Sequence, residues 1–135
     1  QYVYGEKTKI VGIAMESQDR HTSQEAGHTL ASVLKPDDTL LVASTDFTHY
    51  EAHSTATRKD ALALDAIARM DAAGLEEVVY RQGITMCGPG PVMAMLTAAK
   101  QWGARQARLL CYATSGDITG DRSAVVGYAS VEVSR

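Results

Sequence analysis

Two short apolar runs with an amphipathic segment between them constrain the fold of this chain more than any other feature. Residues 9–14 and 39–44 are each rich in β-branched and aliphatic side chains, which is typical of buried strands. The segment between them carries Thr22 and Glu25 at the spacing of a capping box. Its apolar residues recur at helical intervals, as Ala26, Leu30, Val33 and Leu34. A strand, a helix and a second strand in this order predict a βαβ unit with parallel strands.

The rest of the chain alternates helical and strand patterns. Helices are predicted over residues 54–70, 75–80 and 91–102, and strands over residues 107–113 and 124–133. The last strand is expected to be antiparallel, at or near an edge of the sheet. Residues 114–121 are rich in turn-forming residues and predict a loop. The sequence therefore predicts an α/β fold, with a mixed, mostly parallel sheet flanked by helices.

Length and composition limit the class of protein. At 135 residues, of which 45% are hydrophobic, residues 1–135 are predicted to form a single domain with its own core. A net charge of -3 with mixed signs gives no basic surface for nucleic acid, and no apolar run reaches the ~20 residues of a membrane span. Two cysteines do not form a disulfide framework, which favours a reducing cytoplasm. Because the chain begins at Gln1 rather than Met, we expect part of a longer or processed protein.

A thiol lies just before a predicted helix in Thr-Met-Cys-Gly-Pro-Gly-Pro, residues 85–91. The glycines permit a tight turn, and Pro91 suits a first helical position. Unpaired backbone N–H groups and the positive end of the helix dipole favour an anion there, so Cys87 is a candidate metal ligand or nucleophile. The alternative is a small buried residue, which is also what we expect of Cys111 inside the apolar run of a strand.

Asp46 and His49 follow the second predicted strand, in Ser-Thr-Asp-Phe-Thr-His-Tyr, residues 44–50. Ligands of open α/β sheets bind at the carboxyl ends of strands. A carboxylate can hold an imidazole in one tautomer, and the imidazole can then act as an acid, a base or a ligand. Asp46 and His49 are therefore candidate catalytic residues. The alternative is that Asp46 caps a turn and His49 is a surface residue.

The other histidines form no recognisable ligand pattern. His21 and His28 lie in or near the first predicted helix and are expected to face solvent. His53 lies four residues after His49, but this spacing is weak evidence for a metal pair when no third ligand accompanies it. We expect His53 in a loop or at a helix cap.

Two further motifs complete an ordered set of four. They are Tyr-Ala-Thr-Ser-Gly-Asp-Ile-Thr-Gly-Asp at residues 112–121 and Ser-Ala-Val-Val-Gly-Tyr-Ala at residues 123–129. Together with residues 44–50 and 85–91, they closely resemble the C-terminal half of the Memo-like proteins, also called AmmeMemoRadiSam system protein B. The resemblance covers nearly the whole chain. Memo-like proteins in turn resemble class III extradiol (LigB-type) dioxygenases, which implies an α/β sheet flanked by helices.

The resemblance also implies a mononuclear metal site that holds iron or copper. In the family, two histidines from the N-terminal half and the cysteine of the Cys-Gly motif bind the metal, which makes Cys87 the ligand position here. Asp46 and His49 would line the same pocket, behind the ligands or facing substrate. The half that carries the two histidines is absent from these residues, and Glu51 stands where family members usually have glycine. We therefore expect association with a missing N-terminal half, or a homo-oligomer, to cover an exposed sheet edge or face.

Three functions remain open from the sequence. The first is a metal-dependent oxidoreductase of unknown small-molecule substrate, in which the Cys87 thiolate replaces the usual carboxylate of a non-haem iron triad. The second, implied by the resemblance, is a non-enzymatic module that binds a peptide or protein partner. The third is a cysteine hydrolase with Cys87 as nucleophile, His49 as base and Asp46 as orienter. It ranks last, because an Asp and a His three residues apart in one loop rarely give that geometry.

Overall fold

The structure, a computed structural model, describes residues 2–135, which form five helices and three strands. The elements in chain order are α1 (Arg20–Val33), β1 (His49–Glu51), α2 (His53–Ala68), α3 (Ala72–Gln82), α4 (Pro89–Gln101), β2 (Gln106–Thr114), α5 (Ser115–Thr119) and β3 (Val125–Ser134). The predicted α/β class is confirmed. No helix among these residues has the length and apolar character needed to cross a bilayer.

The sheet of the described residues is antiparallel throughout, in the order β1-β3-β2. His49 of β1 pairs with Val126, and Leu109 of β2 pairs with Val131. The prediction of a mostly parallel sheet is therefore wrong. The last strand, β3, is antiparallel as predicted, but it lies between β1 and β2 rather than at or near an edge of this sheet.

The two runs that predicted the parallel strands do not belong to this sheet. Residues 9–14 and 39–44 form no strand, and within the described chain they pair with no strand of the sheet. Their large apolar side chains are exposed: Ile10, Val11, Ile13, Leu40 and Val42. A β-rich run becomes a buried strand only where a neighbour supplies hydrogen bonds and covers its faces, and residues 2–135 supply neither here. The second run borders a groove of about 530 Å³ whose other walls are α4 and β3.

The long helices lie close to their predicted positions, and two local predictions are wrong. Asp19, whose side chain accepts from Thr22 N, is the N-cap of α1, so the helix starts before the predicted capping box. The predicted loop at residues 114–121 contains α5 instead. Its Thr114 and Asp117 form a reciprocal capping box, which stabilises a turn of helix in a segment rich in turn-forming residues.

The hydrophobic core lies between the sheet and α2, α3 and α4. Its fully or almost fully buried members include Ala63, Ala66, Leu75, Met93 and Leu96. Helix α1 packs on α4 where Gly27 faces the backbone of Ala94, and a Cβ at Gly27 would lie only 2.5 Å from the Ala94 oxygen. This packing places the segment before α1 beside the start of α4, where Cys87 lies.

Candidate functional site

The thiol of Cys87 is exposed and lies immediately before Gly88, the N-cap of α4. Its Sγ accepts a hydrogen bond of 3.1 Å from the backbone N–H of Asp46, and it lies 3.5 Å from Thr45 Oγ1. In the other direction, Cys87 N donates to Asp46 O at 3.2 Å. These contacts bring together two motifs that are 41 residues apart. The alternative of a buried Cys87 is wrong.

Two side chains outside the predicted set hold the turn that carries Cys87. Thr45 Oγ1 accepts from Gly88 N at 2.8 Å. Gln18 Nε2 donates to Cys87 O at 3.1 Å, and Gln18 Oε1 accepts from Gly90 N at 3.1 Å. A Cβ at Gly88 would lie 3.0 Å from Thr45 Cβ, so glycine allows this close approach.

His49 is held by Thr85, the first residue of the Cys87 motif. His49 N donates to Thr85 Oγ1 at 2.6 Å, and His49 Nδ1 lies 2.8 Å from the Thr85 carbonyl oxygen. Because a carbonyl can only accept, Nδ1 must carry a hydrogen. Nε2 then faces Asp46, whose Oδ2 lies 3.9 Å away. The side chains of His49 and Asp46 are 23% and 47% exposed, so both are partly open to solvent.

The arrangement does not resemble a cysteine hydrolase. An orienting carboxylate would bond the ring nitrogen opposite the one that activates the thiol. Here the Thr85 carbonyl takes Nδ1 and Asp46 faces Nε2, and no hydrogen bond joins His49 to Cys87 in the described part of the chain. The three predicted site residues share one surface, but a nucleophile–base pair is not among their contacts.

A buried carboxylate supports the loop that carries Asp46 and His49. Asp60 of α2 is fully buried; its Oδ1 accepts from Thr48 N at 3.0 Å, and its Oδ2 accepts from Tyr112 OH at 2.7 Å. Gly127 N also donates to Thr48 O at 3.0 Å, so both backbone groups of Thr48 are fixed. Burial, followed by the hydrogen bond and the negative charge of Asp60, raises the pKa of Tyr112.

Of the remaining predictions for cysteines and histidines, some are confirmed and others are wrong. Cys111 is exposed on β2, so the prediction of a core residue is wrong. His21 and His28 are exposed, as predicted. His53 is the first residue of α2, next to the predicted cap position, which Ala52 occupies, and its Nε2 lies 3.6 Å from Asp117 Oδ1. Within residues 2–135, no group of three or more His, Cys, Asp or Glu side chains could hold a metal ion.

Sequence reasoning missed Gln18, Thr45, Thr85 and Asp60 as parts of the site. Thr45 and Thr85 belong to the two motifs that predicted the site, but the sequence did not show which groups they would contact. Gln18 and Asp60 act on residues 69 and 12 positions away, respectively. No local pattern marks such a residue, because its role depends on which segments pack together.

Fold and site define an α/β protein that presents an exposed cysteine at a helix start beside an Asp–His pair. The family model described as Memo-like protein matches residues 1–132, and the chain belongs to this family.

Several MEMO1 family proteins are similar to this chain. The chain is 46% identical over 133 residues to a MEMO1 family protein of Methanopyrus kandleri, with 97% of this chain and 47% of that protein covered. It is 50% identical over 129 residues to a MEMO1 family protein of Methanocaldococcus jannaschii, with 94% and 45% covered. A MEMO1 family protein of Methanosarcina acetivorans is 42% identical over 135 residues, with 98% and 51% covered. The chain thus spans about half the length of these relatives.

Proposed function

We propose that Cys87 is a ligand of a single iron or copper ion, in a redox site that residues outside this chain complete. The observation that carries the proposal is the exposed Cys87 Sγ, which accepts the Asp46 N–H beside the Asp46–His49 pair. A thiol in this position is held by a backbone donor and has an open side for a metal. We place the protein in the cytoplasm, where exposed cysteines stay reduced.

The residues present fit part of such a site. The sulfur of Cys87 suits copper or iron as a ligand. Side chains such as His49 and Asp46 are often found beside such metals without binding them. Residues 2–135 contain no cluster of three candidate ligands, so Cys87 needs partners from elsewhere. In our proposal these are two histidines from a further segment of a longer protein.

His49 and Asp46 would act on the substrate's proton rather than on the metal. The Thr85 carbonyl holds the hydrogen on Nδ1, which leaves Nε2 to accept or return a proton on the side of Asp46. Asp46 then stabilises the protonated ring across 3.9 Å. A bound iron or copper ion would supply the redox chemistry that protein side chains lack. The substrate is a small molecule of unknown identity.

The test is the metal content and absorption spectrum of this chain, and of a longer gene product that contains it, after equilibration with Fe(II) or Cu(I). We expect about one metal ion per longer chain and weak binding by the 135-residue chain. Cys87→Ser should abolish tight binding, whereas the matched control Cys111→Ser should retain it. Equal loss in both variants, or no metal in any of the wild-type chains, would contradict the proposal.

A second candidate function is a non-enzymatic module that binds a peptide or protein partner. The exposed apolar side chains of residues 10–13 and 40–42 favour it, because contiguous exposed apolar surface often marks an interaction site. Sedimentation or light scattering of the chain would reveal self-association, and pull-down with a chelator present would reveal other partners. Partner binding that persists without metal would favour this function. Binding that is lost with the metal would favour the first.

A further inference from the structure

We infer that Gln18 is a positioning residue for Cys87, which aims the thiol at its place beside Asp46. The inference concerns the same site as the proposed function, and it depends on that proposal only for the assumption that Cys87 is the functional group of the site. Gln18 lies in the segment before α1, far from Cys87 in sequence. Its importance comes from the two hydrogen bonds of its side-chain amide.

The side-chain amide of Gln18 makes two hydrogen bonds at the start of α4. Its Nε2 donates to Cys87 O at 3.1 Å, and its Oε1 accepts from Gly90 N at 3.1 Å. The helix has no side-chain cap of its own, because its N-cap is Gly88 and the next residue, Pro89, has no N–H. Gly90 N is therefore an otherwise unpaired donor of this turn, and Gln18 satisfies it from another part of the chain.

The approach of Gln18 to this turn is close. A Cβ on Gly90 would lie 3.0 Å from both Cα and Cβ of Gln18, so the two backbones meet with room only for glycine. The next residue, Asp19, caps α1 through Thr22 N at 3.0 Å. Two adjacent residues thus cap two helices that pack on each other, which fixes the position of Gln18 firmly.

The bond to Cys87 O sets the orientation of the cysteine. Holding this carbonyl fixes the peptide plane after Cys87, and the Cys87 N–H is fixed by Asp46 O at 3.2 Å. With both backbone groups held, the Cα–Cβ bond points Sγ toward Asp46 N, which donates to it at 3.1 Å. Without Gln18, one of these two restraints is lost.

The test is competitive alkylation of the metal-free 135-residue chain with iodoacetamide, followed by mass spectrometry of the Cys87 and Cys111 peptides. Cys111 is also exposed and serves as the internal reference. Gln18→Met keeps the length of the side chain and removes both hydrogen bonds. Gln18→Glu keeps the acceptor for Gly90 N but places a charged carboxylate oxygen against Cys87 O, so Gln18→Met is the deciding variant. The matched control is Gln106→Met, at the exposed start of β2.

We expect the Cys87-to-Cys111 rate ratio to fall about threefold to tenfold in Gln18→Met, because a thiol that is no longer held beside Asp46 N spends part of its time in orientations that the reagent reaches less easily. Gln106→Met should leave the ratio unchanged. If Gln18 had only a structural role, its loss would lower the midpoint of thermal denaturation but would leave the ratio unchanged at temperatures below the transition. A ratio that is unchanged or increased in Gln18→Met would overturn the inference. Because no metal is present, the outcome is independent of whether the chain belongs to a metal site.

Discussion

The buried carboxylate of Asp60 accepts a hydrogen bond of 3.0 Å from the backbone N–H of Thr48, the residue before His49. The other carboxylate oxygen accepts from Tyr112 OH. A polar group in the core thus fixes the backbone of a surface loop that carries two candidate site residues. The stability of the fold and the shape of the site are linked through this one side chain.

Asp60→Ala should destabilise the chain by about 2–4 kcal/mol, because it leaves the buried Thr48 N–H without its acceptor and removes one partner of the part-buried Tyr112 hydroxyl. Asp60→Asn should cost less, about 1–2 kcal/mol, since the amide oxygen can still accept from Thr48 N. It should also lower the pKa of Tyr112 part of the way towards normal, since the negative charge is gone while burial remains. Urea denaturation and tyrosine absorbance titration measure the two effects. Asp65→Asn, on the exposed side of the same helix, is the control and should change stability little.

Gly127→Ala should destabilise the fold by about 1–3 kcal/mol through overpacking. A Cβ at this position would overlap Asp60 Oδ2 and lie 3.2 Å from Tyr112 OH. These two groups are held in place by the hydrogen bond between them. Gly12→Ala is the matched control, because nothing lies within 4 Å of a Cβ there. Equal denaturation midpoints for the two alanine variants would show that the carboxylate can move aside.

Tyr50 adopts a backbone conformation that favours glycine. Its φ is +58°, and its exposed ring meets His49 edge-on at 5.8 Å between centroids. We expect Tyr50→Gly to be more stable than Tyr50→Val by about 1–2 kcal/mol, because a β-branched residue is strained at positive φ. Both variants lose the ring, so their difference in urea denaturation isolates the backbone effect.

The same pair of substitutions at Tyr80 provides the control. Tyr80 is exposed in the last turn of α3, where the backbone is still helical. Glycine is the poorer of the two residues in a helix, so the order of stability should reverse there. If valine is the more stable residue at both positions, the positive φ of Tyr50 is not a source of strain.

Asp19 should make stability depend on acid pH. Its pKa is lowered first by the hydroxyl of Ser17, then by the backbone N–H and hydroxyl of Thr22. A lowered pKa in the folded state means that the stabilisation is present above the unfolded value of about 4 and is lost as the pH falls below it. The stability difference between wild type and Asp19→Asn, which keeps a capping side chain, should therefore shrink between neutral pH and pH ~2.

Thermal denaturation of both chains across this pH range measures the difference. Ser17→Ala removes the largest cause of the lowered pKa, so it should weaken the acid dependence that Asp19 contributes. A difference between wild type and Asp19→Asn that stays constant with pH would contradict this account.

The site could be predicted from the sequence where its chemistry lies in short motifs. The turn of residues 85–91 predicted a cysteine before a helix, and the segment that contains Asp46 and His49 predicted a polar pair at the end of an extended run. The structure places both on one surface. It also corrects the partner of His49, which is the Thr85 carbonyl at Nδ1 rather than Asp46. The predicted roles of Cys87, His49 and Asp46 stay predictions.

The sequence by itself determined the α/β class, the long helices α2 and α4, the strands β2 and β3, and the turn before α4 that carries Cys87. These depend on residue spacing, on glycine and proline at special backbone positions, and on capping groups within a few residues. Only the tertiary structure decided that the sheet is antiparallel, that residues 9–14 and 39–44 lie outside it, and that Gln18 and Asp60 support the site. A strand or a hydrogen bond is completed by a partner, and in a folded chain that partner can lie tens of residues away, where no local pattern records it.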